Sequence, residues 1–192
     1  SMHRHFLIHK PLGYLSQFVN NQNKRKNKKL LGELYIFPKG TMSIGRLDEN
    51  SEGLLLLTTD GKVSEQVRSK KVEKEYYVQL DGNITDKAIE KICNGIEIGI
   101  RNKKYLTLPC KANHLKKSPT FAPRIKKIRD ERHGPTSWIT ITITEGKFRQ
   151  VRKMTAAVGV PTLRLIRVRI GDIYLDQLAP GKVIEVGSFN LD

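Results

Sequence analysis

Gly45-Arg46-Leu47-Asp48-Glu49-Asn50-Ser51-Glu52-Gly53-Leu54-Leu55-Leu56-Leu57-Thr58 changes character halfway along. Up to Gly53 it is charged and bounded by glycine, which is the composition of a turn. From Leu54 to Thr59 leucine dominates, and Asp60-Gly61 closes the run. Such a run predicts a strand buried on both faces and ended by a second turn. A charged loop mounted on a rigid strand is a common way to build a site. Asp48 is the candidate this loop offers. Taken alone, it reads equally as half of an ion pair with Arg46 or as a helix cap.

Outward from this stretch, Lys62–Ser69 reads as a short helix and Glu75–Leu80 as a second strand, closed by Asp81-Gly82. Thr85 is placed to cap a helix over Asp86–Asn94 that Gly95 ends. The clearest period of two is Trp138-Ile139-Thr140-Ile141-Thr142-Ile143-Thr144, a strand with one face on the core. Phe148–Val158 then reads as a helix. It carries Val151, Met154, Thr155 and Val158 on one face and Arg149, Arg152 and Lys153 on another. Gly159 and Pro161 stop it. Leu163–Ile170 and Val183–Val186 read as late strands, and the arginines of the first leave its register open. Helices and strands mix without regular alternation. That predicts an α+β fold with a mixed, largely antiparallel sheet flanked by helices and loops.

The chain carries 35 Lys+Arg against 19 Asp+Glu, a net charge of +16 over 192 residues. Charge on this scale concerns partners, and the common polyanions are nucleic acid and anionic membrane. No apolar run approaches the ~20 residues of a membrane span, and no signal peptide opens the chain. A cytoplasmic nucleic-acid-binding protein is therefore expected. Cys93 and Cys110 form no Cys-x-x-Cys pair, and the histidines have no metal-ligand spacing, so neither a disulfide nor a metal is expected. Two basic stretches, Asn20–Lys29 and Lys111–His133, lack apolar periodicity. They read as solvated loops or as phosphate-tracking segments, with Lys24, Arg25 and Lys26 as RNA contacts under the second reading.

The opening stretch resembles a signature of the ribosomal RNA pseudouridine synthases, Gly/His-Arg-Leu-Asp-x-x-Thr/Ser-x-Gly-Leu-Leu. Four further blocks resemble that family in its own order: Lys10-Pro11-Leu12-Gly13, Lys74-Glu75-Tyr76-Tyr77-Val78, Glu145-Gly146-Lys147-Phe148-Arg149-Gln150-Val151-Arg152-Lys153-Met154, and Leu163-Arg164-Leu165-Ile166-Arg167 with Gly171. Pro135-Thr136-Ser137-Trp138 and Val158-Gly159-Val160-Pro161 resemble a branch that acts on the large ribosomal subunit and lacks its relatives' extra N-terminal S4-like RNA-binding domain. The resemblance implies one catalytic domain over 1–192, built as two lobes with a cleft, monomeric and without cofactor. Lys147-Phe148 departs from the branch's usual Arg-Asn.

The roles of individual residues follow from the same resemblance. Asp48 is implied as the essential carboxylate, acting as nucleophile or as base at the sugar. A uridine inside a helix must be flipped out to be reached. Arg46 matches the arginine that fills the vacated stack, and Tyr76 the tyrosine that packs on the flipped uracil. Arg152 matches the basic partner that holds the aspartate ionised, and Leu165 an apolar pocket residue. Lys10, Arg149 and Lys153 are implied as RNA contacts. By residue type alone, Tyr76 and Leu165 equally suit a core, and Arg152 a helix surface. Tyr77 faces the other side of its strand and suits core packing better. Two other readings fit the charge: the same chemistry on small-subunit or transfer RNA, and a non-catalytic ribosome-assembly factor indifferent to Asp48.

Overall fold

Leu54 to Leu57 are completely buried, as the leucine run predicts, because the strand that holds them is covered on both faces. This strand, β3 (Glu52–Thr58), lies in a computed structural model that describes residues 2–19, 27–121 and 133–191. The chain divides into two units, Ser1–Val72 with Arg167–Asp192, and Glu73–Ile166.

In the first unit β3 pairs antiparallel with β1 (His5–Lys10), from His5 opposite Thr58 to Lys10 opposite Gly53. The short β2 (Met42–Ile44) also pairs with β3. The helix α1 (Gly61–Ser69) packs on both and is capped by the Asp60 side chain, which accepts from the Lys62 amide at 3.0 Å. Phe6 of β1 anchors an aromatic cluster with Tyr35 and Phe37. Its ring meets Phe37 edge-on at 5.3 Å, and Phe37 meets Phe18 at 5.4 Å.

In the second unit β4 (Lys74–Asp81) pairs antiparallel with β8 (Thr136–Ile143) along its whole length. Tyr76, Val78 and Leu80 share the buried face with Ile139, Ile141 and Ile143. Thr85 caps α2 (Asp86–Cys93), its hydroxyl accepting from the Ala88 amide at 3.1 Å. β5 (Glu97–Ile100) and β6 (Lys103–Leu106) form a separate two-stranded hairpin. β7 (Lys111–His114) pairs with β8, so the first residues of the stretch read as an unstructured basic loop are a strand. Their charged side chains point outward while Ala112 is buried, an edge-strand pattern that composition alone disguises. Then comes α3 (Gln150–Ala157), which starts two residues later than the expected Phe148.

β9 (Thr162–Ile170) is shared, Thr162–Ile166 belonging to the second unit and the rest to the first. The sheet order is β11-β1-β3-β9 in the first unit and β9-β4-β8-β7 in the second. β10 (Ile173–Tyr174) pairs with β9, and β11 (Val183–Val186) with β1, both antiparallel. The architecture is the expected mixed, largely antiparallel sheet with helices. Among the described residues no helix is long and apolar enough to cross a membrane.

Candidate active site

Asp48 lies on the loop between β2 and β3 and is half-buried. The loop is fixed on both sides of it. On one side, Leu47 is 6% exposed and held by Ser16, whose hydroxyl donates to the Leu47 carbonyl at 2.6 Å and accepts from its amide at 2.9 Å. On the other, the Glu49 carbonyl accepts from the Gly13 amide at 2.9 Å and from Lys10 Nζ at 3.4 Å, and the Glu49 carboxylate is ion-paired with Lys28. The Ser51 amide closes the turn on the Asp48 carbonyl at 2.9 Å. Arg46 is exposed, and its guanidinium donates to Gln17 Oε1 at 3.4 Å. A carboxylate on a loop tied down through its neighbours is preorganised, since no ordering remains to be done when substrate arrives.

Gly53 explains why this loop must end in glycine. Its φ is +110°, and a Cβ there would lie 2.2 Å from the Arg167 carbonyl oxygen and 2.7 Å from the Arg167 amide nitrogen. Arg167 itself is 5% exposed, and its Nε donates to the Leu54 carbonyl at 2.9 Å. Two of the sequence blocks are thus one packing contact within the first unit.

Lys10 was expected to touch RNA, and the structure places it inside the fold. The side chain is fully buried. Its ammonium donates to the carbonyls of Tyr14 at 2.8 Å, Pro11 at 2.9 Å and Glu49 at 3.4 Å, so it holds the loop beside Asp48 instead of a phosphate. Burial pushes this ammonium down to about 7, against the pull of Glu52, Glu49 and Asp48. Lys28, one of the basic stretch, likewise serves Glu49. Lys24, Arg25 and Lys26 lie outside the described residues.

A pH prediction follows from Lys10. The folded chain releases its proton near 7, the unfolded chain near 10.5. Between these values the unfolded state holds the extra proton, so this group makes stability rise with pH, by at most about 1.4 kcal/mol per unit. Lys10→Met removes that pH dependence and strands three carbonyls, so its loss of stability, roughly 2–4 kcal/mol at the high-pH end, shrinks as pH falls. Urea melts of both proteins over about pH 6 to 9 check it. A stability difference between them that does not change with pH would contradict the assignment.

The second unit presents the other expected residues. Tyr76 is 9% exposed and sits opposite Ile141 on the core face of β4. Tyr77, expected to be the core residue, is only half-buried and meets the Phe121 ring at 6.1 Å. Leu165 of β9 is 5% exposed. On α3, Val151 and Met154 form the buried stripe, and Arg152 and Lys153 are half-buried. The start of α3 is built by Glu145 and Gln150, which the sequence places in a family block without a role of their own. Gln150 Nε2 donates to Glu145 Oε1 at 2.8 Å, while Gln150 Oε1 accepts from the Lys147 amide at 3.2 Å. Glu145 Oε2 accepts from the Leu108 amide at 3.1 Å and from the Tyr105 hydroxyl, which pushes the phenol up to about 12. Arg149, at the N-cap, adopts φ 52°, ψ 34°, a left-handed conformation that few non-glycine residues hold. Lys153 Nζ donates to the Gly99 carbonyl at 2.8 Å. Of the expected residues, Arg46, Asp48 and Lys10 belong to the first unit, and Tyr76, Arg149, Arg152, Lys153 and Leu165 to the second.

Comparison with known proteins adds the family. The family described as RNA pseudouridylate synthase matches residues 4–157. A ribosomal large subunit pseudouridine synthase E from Vibrio parahaemolyticus is 40% identical over 182 residues, covering 94% of this chain and 72% of that relative. One of the same name from Xanthomonas campestris is 39% identical over 178 residues, covering 92% and 91%. A crystal structure of a pseudouridylate synthase superposes with a TM-score of 0.74 at 26% identity, over 96% of this chain and 70% of that one. With the loop around Asp48 and the ordered sequence blocks pointing the same way, the chain belongs to the RNA pseudouridylate synthase family.

Proposed function

We propose that this chain isomerises a uridine of large-subunit ribosomal RNA to pseudouridine, with Asp48 as the essential carboxylate. The reading of the substrate is supported by the relatives that match over nearly the whole chain. The catalytic reading is carried by one observation, a half-buried aspartate on a loop anchored at both of its neighbours.

The reaction breaks the bond from uracil N1 to ribose C1′, turns the base, and joins C5 to C1′. The hydrogen on C5 leaves to water and N1 takes up a proton. The uridine is flipped out of its stack first, with Arg46 filling the gap. Tyr76 packs on the flipped uracil and Leu165 supplies apolar surface beside it. By the resemblance, Arg152 is the aspartate's basic partner. Arg149 and Lys153 contact phosphate, as do Lys24, Arg25 and Lys26. The chain acts as a monomer in the cytoplasm under this reading.

Treating unmodified large-subunit ribosomal RNA with the purified chain and mapping pseudouridines tests the proposal. One new pseudouridine at a single position is the expected result. Modification confined to small-subunit or transfer RNA would overturn the substrate, and no modification of any RNA would overturn the activity.

A further inference from the structure

Phe148 is 67% exposed. A single exposed apolar side chain is ordinary. What surrounds this one is not. Lys153 Nζ lies 5.2 Å from the ring centroid, and the same ammonium is bonded to the Gly99 carbonyl of the β5–β6 hairpin. Lys147 Nζ lies 4.9 Å from the Tyr105 ring of that hairpin, and the Tyr105 hydroxyl is bonded to Glu145. The hairpin and the start of α3 are therefore fastened together at two points.

The hairpin tip is basic. Ile100 pairs with Lys103 across a two-residue turn in which Arg101 and Asn102 both have positive φ, 49° and 64°. That is the turn that suits strand twist, and it favours Asn or Gly at both positions. Arginine is a costly choice at the first. Arg149 is the second arginine of this surface held left-handed. Backbone strain of this kind gathers at working sites. Arg101 and Lys103 are exposed, and with Lys147, Arg149 and Lys153 they set five cations of the hairpin and the start of α3 against the Glu145 carboxylate, while Lys104, next along the strand, points to the hairpin's other face beside Glu97. Glu145 is engaged by Tyr105, Leu108 and Gln150, and Glu97 lies 3.7 Å from Lys104.

We infer that this surface of the second unit holds an unpaired strand of the RNA, one base stacking on Phe148 while Arg101 and Lys103 follow its phosphates. An aromatic face set among cations is how single strands are held without regard to sequence. The inference rests on the reading that the substrate is RNA, and places a second contact on it apart from the target uridine.

The test uses the full chain and a fluorescein-labelled single-stranded oligouridylate. Phe148→Ala weakens binding roughly 5- to 100-fold at an unchanged Tm, as loss of one stacked base does. Phe148→Tyr restores it, and Phe148→Lys, which adds charge without a ring, does not. Substituting Arg101 and Lys103 together by Gln lowers the slope of log K against log salt by about 1.4, at roughly 0.7 per phosphate on a single strand. Wild-type affinity in Phe148→Ala, or full rescue by Phe148→Lys, would overturn the stacking role. An unchanged salt slope would overturn the hairpin's. Because binding is read without turnover, a Phe148 effect in a protein that modifies no ribosomal RNA supports this contact while rejecting the activity. Normal modification alongside unaltered binding by Phe148→Ala rejects this contact alone.

Discussion

Asp48→Asn abolishes pseudouridine formation, with a loss on the order of 10⁴-fold or more in single-turnover rate, the scale on which removing an essential reacting group acts. Asparagine keeps the size of the side chain and an acceptor oxygen, and loses the charge and the basic, nucleophilic oxygen. The fold survives, because the loop is tied through Leu47 and Glu49 to Ser16, Gly13 and Lys10. RNA affinity stays the same or rises, since one negative charge leaves a strongly basic protein. Release of tritium from RNA labelled at uridine C5 reads the reaction directly, because C5 gives up its hydrogen when the new bond forms. A variant that releases tritium within tenfold of the parent would remove Asp48 from the chemistry and favour an RNA-binding role for the chain.

The largest effect on stability is expected at Gly53→Ala. A methyl group there would sit 2.2 Å from the Arg167 carbonyl oxygen, on a residue whose φ of +110° already excludes side chains. The atoms in the way are backbone of β9, which cannot rotate aside as a side chain would. The cost is more than about 4 kcal/mol, enough to unfold a domain of ordinary stability. Gly45→Ala is the matched comparison. Its φ is +70° with nothing within 4 Å of a Cβ, so only the left-handed penalty of about 1–2 kcal/mol applies. Urea melts of the two variants separate steric collision from backbone preference. A Gly53→Ala protein as stable as Gly45→Ala would mean that β9 yields, and that the tight contact is not what specifies glycine.

These two residues show how far the sequence reaches. The charged turn before a leucine-rich strand marks both Asp48 and β3, because burial on both faces writes a continuous apolar run. The cap of α2 at Thr85 is legible because it is local, acting on an amide three residues away. Short strands are less visible. β5, β6 and β7 are four residues long and carry charges on their open faces, and the buried β1 mixes His and Lys into its six residues, so no clear alternation stands out.

What the sequence by itself determined, then, is the local and the chemical: which residues can react, which segments end in turns, and the family through the order of its motifs. Only the tertiary structure decided what each side chain does with its polar atoms. Lys10 looks like a phosphate contact until the carbonyls of Pro11, Tyr14 and Glu49 close around its ammonium. Arg167 stands in a strand whose register the sequence leaves open, until its guanidinium reaches the Leu54 carbonyl, 113 residues away in the chain. Tyr105 carries no motif, yet it secures Glu145 at the start of α3. The physical reason is the same in each case. Hydrogen bonds and close packing act over a few ångströms in space and are blind to separation along the chain, so residue type and spacing cannot tell a buried cation that holds a loop from an exposed one that holds RNA.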